Sequence, residues 1–192
     1  MTVCFNIFGA GEWGLSIANL LASNGHKVEV FGRDEEKIDR LQSTRVSQSL
    51  EVKFSENIAF SSLKKIPNDP VETVSTFNII ATNSKGFASV IRDKKIFLKQ
   101  FKHITWLTKG MDSESTLLFD ELIQNILGTD IISCMISGPG FARDLVHKKD
   151  IEVSIASLDL KFLEDMKKYF STSYFKMLAT QDIIGVQISS VM

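Results

Sequence analysis

The residues best suited to chemistry fall in four short runs, most of them at the end of an apolar stretch. Gly9-Ala10-Gly11-Glu12-Trp13-Gly14 has the spacing G-x-G-x-x-G and follows the run Val3–Phe8. In a strand-to-helix turn Gly9 allows the tight bend, and Gly11 lets a pyrophosphate approach the backbone. Gly14 lets the helix lie close to the strand. The start of that helix would offer unpaired N–H groups to phosphates. The competing reading is a glycine-rich turn without a ligand, and the flanking strand and helix patterns favour the dinucleotide. Phe31-Gly32-Arg33-Asp34 closes the second apolar run. An acidic residue there would hydrogen-bond the ribose of NAD, whereas Arg33 suits a 2′-phosphate or stacks on adenine. Asp34 lies one step further on and reads as a start for the next helix. This favours NADP, or tolerance of both NADP and NAD; the alternative is that Arg33 is a solvated charge. Thr108-Lys109-Gly110 follows another apolar run. An ammonium at a strand end can hold a phosphate-bearing substrate or polarise a carbonyl that gains charge as hydride arrives. Gly138-Pro139-Gly140 would let backbone N–H groups reach an anion. On its residues alone it reads more simply as a turn.

These runs need elements to position them. Val3–Phe8 and Phe77–Ala81 are buried-strand patterns, and Lys27–Phe31 alternates as a strand. His103–Leu107, Ile131–Ile136, Ile151–Ala156 and Tyr174–Met177 continue the series, with a less regular strand at Ile58–Phe60. Trp13, Ile17, Leu20 and Leu21 recur at helical spacing up to Gly25, and Phe119, Leu122, Ile123 and Ile126 up to Gly128. Asp34–Leu41, Gly86–Ile91 and Phe162–Phe170 give further helices. Strands alternating with helices imply parallel pairing in a doubly wound, mainly parallel α/β sheet of Rossmann type. Residues 1–180 read as the dinucleotide-binding domain. Residues 181–192 read as the start of a helix leading away from it.

Composition narrows the function. With 22 Lys+Arg against 23 Asp+Glu there is no basic excess, so nucleic-acid and membrane-surface binding are disfavoured. No apolar run approaches the ~18–20 residues of a membrane span. No Lys or Arg precedes Lys27, so a secretory leader is not expected. Cys4 and Cys134 read as buried free thiols, and the expectation is a soluble cytoplasmic protein. His26, His103 and His147 have no partner at ligand spacing, so no metal is expected. Lys94, Lys95, Lys99 and Lys102 read as a solvated face. Phe54 and Phe60 are candidates for exposure.

Four segments, in order, resemble the N-terminal domain of bacterial NAD(P)-dependent glycerol-3-phosphate dehydrogenase. They are Gly9–Gly14, Trp106-Leu107-Thr108-Lys109-Gly110, Ile136-Ser137-Gly138-Pro139-Gly140-Phe141-Ala142 and Asp182-Ile183-Ile184-Gly185-Val186-Gln187. The resemblance implies cofactor contacts at Gly9, Gly11, Glu12, Trp13, Gly14, Arg33 and Ala142. It makes Lys109 a contact to both nicotinamide and substrate, and Gly138 and Gly140 substrate-lining positions. The implied activity reduces dihydroxyacetone phosphate with NAD(P)H, NADPH being favoured.

There are departures from the family pattern. Gly140 stands where the family has Ser or Thr, Ser189-Ser190 replaces paired glycines, and Thr82-Asn83-Ser84 replaces a V-P-S loop. Arg45–Phe54 lacks an N-x-x-x-L-P pattern. By the resemblance the catalytic lysine would follow Met192, and the helical domain that completes the substrate pocket is not in this sequence. These 192 residues are therefore expected to bind a dinucleotide without turnover, and to form a homodimer or aggregate through the apolar face left open. The alternative is a stand-alone NADPH-binding or sensing module.

Overall fold

Short apolar runs become strands where a glycine or a polar cap lets the chain turn over into a helix. A computed structural model of the chain describes residues 2–66 and 76–190. The first half carries β1 (Cys4–Phe8), α1 (Glu12–Ser23), β2 (Lys27–Gly32) and α2 (Glu35–Thr44). The two-residue strands β3 (Val46–Ser47) and β4 (Val52–Lys53) follow, then β5 (Ile58–Ser62) and a 3-10 turn at Leu63–Lys65. Next come β6 (Thr76–Ile80), α3 (Ser84–Asp93), α4 (Lys95–Leu98), β7 (His103–Trp106) and α5 (Phe119–Leu127). The last part is β8 (Ile132–Ser137), α6 (Ala142–Val146), β9 (Ile151–Ala156), α7 (Leu160–Phe170), β10 (Phe175–Thr180) and α8 (Ile183–Ser189). The ends of the 42–70 stretch and of the 181–192 segment lie outside the described residues.

The main sheet has the order β10-β9-β8-β7-β6-β1-β2-β5, and β3 and β4 form a separate hairpin. Two apolar layers cover its faces. One joins Phe5, Ile7 and Val30 to Ile17 and Leu21 of α1, Ile38 of α2 and Met166 of α7. The other joins Phe8, Ile80 and Trp106 to Phe87 of α3, Leu98 of α4, Phe119 of α5 and Ile183 of α8. This is the doubly wound α/β arrangement that the alternation of elements implies.

Pairing is parallel from β5 through β8, but β8 and β9 are antiparallel, in the register Ile136 to Ile155. The sheet is thus mainly parallel, as expected, with one antiparallel step whose place the sequence did not indicate. Between β8 and β9 only the five-residue α6 intervenes, and it does not cross the sheet. It docks on α1, where the Ser16 hydroxyl donates to the Ala142 carbonyl at 2.9 Å. The chain therefore re-enters the sheet at the end it left, the short-connection outcome. β10 then pairs parallel with β9 after α7.

Two further expectations change. Phe54 and Phe60 are buried, at 2% and 5% exposure, because the β3–β4 hairpin folds back on the sheet and packs the two rings together, tilted at 57° with centroids 5.4 Å apart. Cys4 is only half-buried, at the start of β1, while Cys134 is buried and both are free thiols. Burial pushes the Cys134 thiol up out of its ordinary range. His26 sits in the α1–β2 connection but is buried, and its Nδ1 accepts from the Val3 N–H at 3.4 Å. Burial holds its pKa below the ordinary value.

Candidate functional site: two clefts joined at the glycine loop

The C-terminal ends of β1, β2, β6, β7 and β8 face one edge of the sheet, where open α/β folds take ligands. The residues after β1 form the centre of the site. Gly9 has φ +125°, a left-handed conformation that glycine adopts freely, and a Cβ there would lie 2.4 Å from the Ala81 carbonyl oxygen. A Cβ on Gly14 would lie 2.2 Å from the Gly9 carbonyl oxygen and 3.2 Å from Ala81 Cβ. Those two glycines are thus fixed by close packing of α1 on the strand ends. Gly11 differs, since a Cβ there meets nothing within 4 Å. Its open side is the kind of cradle a pyrophosphate needs.

The start of α1 has no side-chain cap. α2, α3, α7 and α8 each have one, from Asp34, Asn83, Asp159 and Asp182. The first-turn N–H groups of α1 are therefore available to an outside acceptor. Asp34 is committed to its helix, with Oδ1 accepting from the Lys37 N–H at 3.0 Å.

A cleft of about 380 Å³ runs from Gly9, Ala10 and Gly11 past Gly32, Arg33, Asp34 and Lys37, with Ala81, Thr82 and Asn83 on the other wall. Arg33 is exposed and makes no ion pair among the described residues. A second cleft, of about 340 Å³, is lined by Glu12, Trp13, Thr108, Lys109, Gly138, Gly140 and Ala142. Ala81 and Thr82 line both. The sequence-flagged residues thus gather on two connected clefts, except Gly14, which lies buried beneath the loop.

Packing also accounts for two glycines of the second cleft. A Cβ on Gly138 would lie 2.8 Å from Val153 Cα, because β9 passes close against it. A Cβ on Gly140 would lie 3.0 Å from Ile151 Cγ2 and 3.6 Å from the Trp13 ring. Ser189 and Ser190 bond back to the carbonyls of Val186 and Gln187, at 3.2 and 2.6 Å, where α8 ends. Sequence reasoning passed over Lys37, Ala81 and Asn83. The signal for the last two was available: Asn83 caps a helix directly after a strand, the same strand-end logic that marked Lys109.

Among the described residues no group of His, Cys, Asp and Glu is arranged to hold a metal ion. None of the described helices is long and apolar enough to cross a membrane.

A glycine loop between a central parallel strand and an uncapped helix, with clefts on both sides, defines a dinucleotide-binding domain of Rossmann type. The chain belongs to the family described as NAD-dependent glycerol-3-phosphate dehydrogenase N-terminus, which it matches over residues 5–163. It is 33% identical to a glycerol-3-phosphate dehydrogenase [NAD(P)+] of Bartonella henselae, over 97% of this chain and 54% of the relative. The corresponding enzyme of Yersinia pestis is 30% identical over 95% of this chain and 53% of its own length. The chain thus spans about half the length of these curated relatives. The crystal structure of glycerol-3-phosphate dehydrogenase from Coxiella burnetii superposes with a TM-score of 0.89 at 27% identity, over 98% of this chain and 57% of that one. A D-mandelate dehydrogenase, at 12% identity and TM-score 0.69, shares 95% of this chain and shows the fold alone.

Proposed function

We propose that the chain is the dinucleotide-binding half of a glycerol-3-phosphate dehydrogenase and accepts NADPH as well as NADH. The observation that carries this reading is Gly11, the one fingerprint glycine whose side-chain position opens onto free space, at the start of a helix with no cap of its own. In this reading the pyrophosphate sits over Gly11 and the adenosine end extends along Gly32 and Arg33. Lys37 lines the same cleft and adds a second cation for a 2′-phosphate. Asp34 serves the helix through Oδ1, and Arg33 and Lys37 against its one carboxylate leave that end net positive.

The nicotinamide end falls in the second cleft, against Glu12, Trp13 and Ala142, and a small phosphorylated ketone, dihydroxyacetone phosphate, takes the space by Lys109, Gly138 and Gly140. A bound nicotinamide supplies the hydride. The Lys109 ammonium holds the oxygen or phosphate that carries negative charge. Completing an alcohol also needs a proton donor, and such groups contribute about 10²–10⁴-fold. Glu12 and Lys109 are the titratable residues lining this cleft among those described. Neither encloses a substrate, and both are exposed.

We read residues 1–180 as the binding domain and residues 181–192 as the start of a helix leading from it, α8 first packing on the domain through Ile183 and Gln187. We expect these 192 residues to bind dinucleotide and to show no turnover. Self-association through exposed Phe141, Ile184 and Ile188 is also expected. The test is a titration of the purified chain with NADPH, followed by NADPH absorbance in the presence of dihydroxyacetone phosphate. Saturable binding without oxidation supports the reading. No binding at millimolar NADPH overturns the site, and turnover at the rate of a complete enzyme overturns the account of the proton donor.

A further inference from the structure

Lys109 is an exposed side chain with no ion pair among the described residues. The protein can therefore set where its ammonium works only by fixing its backbone. That backbone is held at two points. Upstream, the Leu107 N–H donates to the Ile80 carbonyl at 2.9 Å, and the Thr108 hydroxyl donates to the Thr82 carbonyl at 2.8 Å. Downstream, the Asp112 side chain is only 3% exposed. Its Oδ2 accepts from Arg92 Nη2 at 2.6 Å, from the Ser115 hydroxyl at 2.6 Å and from the Ser115 N–H at 3.1 Å. The Asp112 N–H donates to the Leu117 carbonyl at 3.0 Å, and the Asp112 carbonyl accepts from the Thr116 N–H at 2.9 Å. Only Lys109, Gly110 and Met111 lie between the anchors, with the turn made at Gly110, φ +105°.

Both anchors lead to the same element. Thr82 immediately precedes Asn83, the cap of α3, and Arg92 is in the last turn of α3. Arg92 and Asp112 line neither cleft. Charge-assisted bonds to a buried carboxylate are the strong, geometrically restrictive kind. A second contact of Arg92, to Glu114 at 3.3 Å, involves a carboxylate that is 77% exposed, and such pairs hold little.

We propose that Arg92 and Asp112 are positioning residues for Lys109, an ion pair outside the clefts on which affinity for the nicotinamide end of the dinucleotide depends. The proposal rests on the reading of Lys109 given above, and the experiment separates the two. Dissociation constants for NADPH and for 2′-phospho-ADP-ribose, which lacks the nicotinamide, are measured for the wild-type chain, Lys109→Ala, Asp112→Asn, Arg92→Met, Arg92→Lys and Glu114→Gln. A thermal melt accompanies each. Lys109→Ala is expected to weaken NADPH about tenfold, the loss of one charge-assisted contact, and to leave 2′-phospho-ADP-ribose unchanged. Asp112→Asn and Arg92→Met should show the same split, with Arg92→Lys recovering part of it and Glu114→Gln behaving as wild type.

Three results overturn the proposal. If Lys109→Ala leaves NADPH affinity unchanged, the role of Lys109 is wrong and the proposal falls with it. If Lys109→Ala weakens NADPH but Asp112→Asn and Arg92→Met do not, Lys109 stands and the coupling fails. If the pair variants weaken both ligands equally, they act on general stability. Should Asp112→Asn not fold, the partly exposed Arg92 variants decide the question.

Discussion

Replacing Gly11 by Val should separate binding from folding. Gly11 has φ −72° and ψ 170°, extended backbone that valine adopts, and its Cβ meets no atom within 4 Å. The cost to the fold is the poorer helix cap, about 1 kcal/mol. In a chain of this size that lowers Tm by roughly 2–4 °C. The cost to binding is larger. A valine side chain over the first turn of α1 keeps a pyrophosphate from the helix N–H groups, and a hydrogen bond to a charged group is worth about 1.5–3 kcal/mol. Losing two of them amounts to about 3–6 kcal/mol, a fall in affinity of about 10²–10⁴-fold. Gly14→Ala is the counterpart. Its Cβ would lie 2.2 Å from the Gly9 carbonyl oxygen, so α1 must move. Overpacking of this kind costs about 1–3 kcal/mol, offset in part by the better helix propensity of alanine. Kd can be read from energy transfer between Trp13 and NADPH, and Tm from circular dichroism. A Gly11→Val chain that binds NADPH within threefold of wild type would falsify the placement of the pyrophosphate. A Gly14→Ala chain more stable than wild type would refute the packing argument.

Arg33→Asp should weaken NADPH more than NADH by about 1.5–3 kcal/mol, because a phosphate loses its partner and meets repulsion; equal losses by fluorescence titration would remove Arg33 from the 2′-phosphate. Gly140→Ser should fold with a Tm a few degrees lower, since its Cβ lies 3.0 Å from Ile151 Cγ2 and that side chain must give way; an unchanged or raised Tm would show the strand to be more compliant than its packing indicates. Asp112 is held below its ordinary carboxylate range, first by the Ser115 hydroxyl and then by Arg92. Its contribution is present above the unfolded aspartate value of about 3.9 and is lost as pH falls below it. Denaturant melts should therefore show Asp112→Asn costing about 1.5–3 kcal/mol at pH 7 and progressively less towards pH 3; a cost that does not change with pH would mean that the charge is not what matters.

Much of this architecture was legible because the period of apolar residues changes cleanly between strands and helices. β9 falls at Ile151–Ala156, the run expected of it, and α5 stops at Gly128, φ +116°. What escaped was too short to carry a period. The strands β3 and β4 have two residues each, α4 has four and α6 has five, so their packing decides their form. Strand direction at β9 was illegible for the same reason, since a helix of one turn cannot announce whether the chain crosses the sheet. Phe54 gave no hint of burial, because the hairpin that buries it has no pattern of its own. Within the site, glycines and a strand-end lysine are visible as types at a spacing. Asp112 is an ordinary loop acid until the fold sets Arg92 beside it.

The antiparallel step between β8 and β9 decides on which side of the molecule the chain emerges. With one reversal, β9 and β10 run towards the edge opposite the clefts, so α8 begins there and climbs back. Its return brings Gln187 to the start of α5, where the side chain accepts from the Phe119 N–H at 3.0 Å and donates to Asp120 at 2.6 Å. α5 begins just after the loop that carries Lys109. Parity of strand direction is therefore what brings Gln187 to the start of α5. A sheet with no reversal, or with two, would send the same helix down to the opposite edge with every local contact of the glycine loop intact.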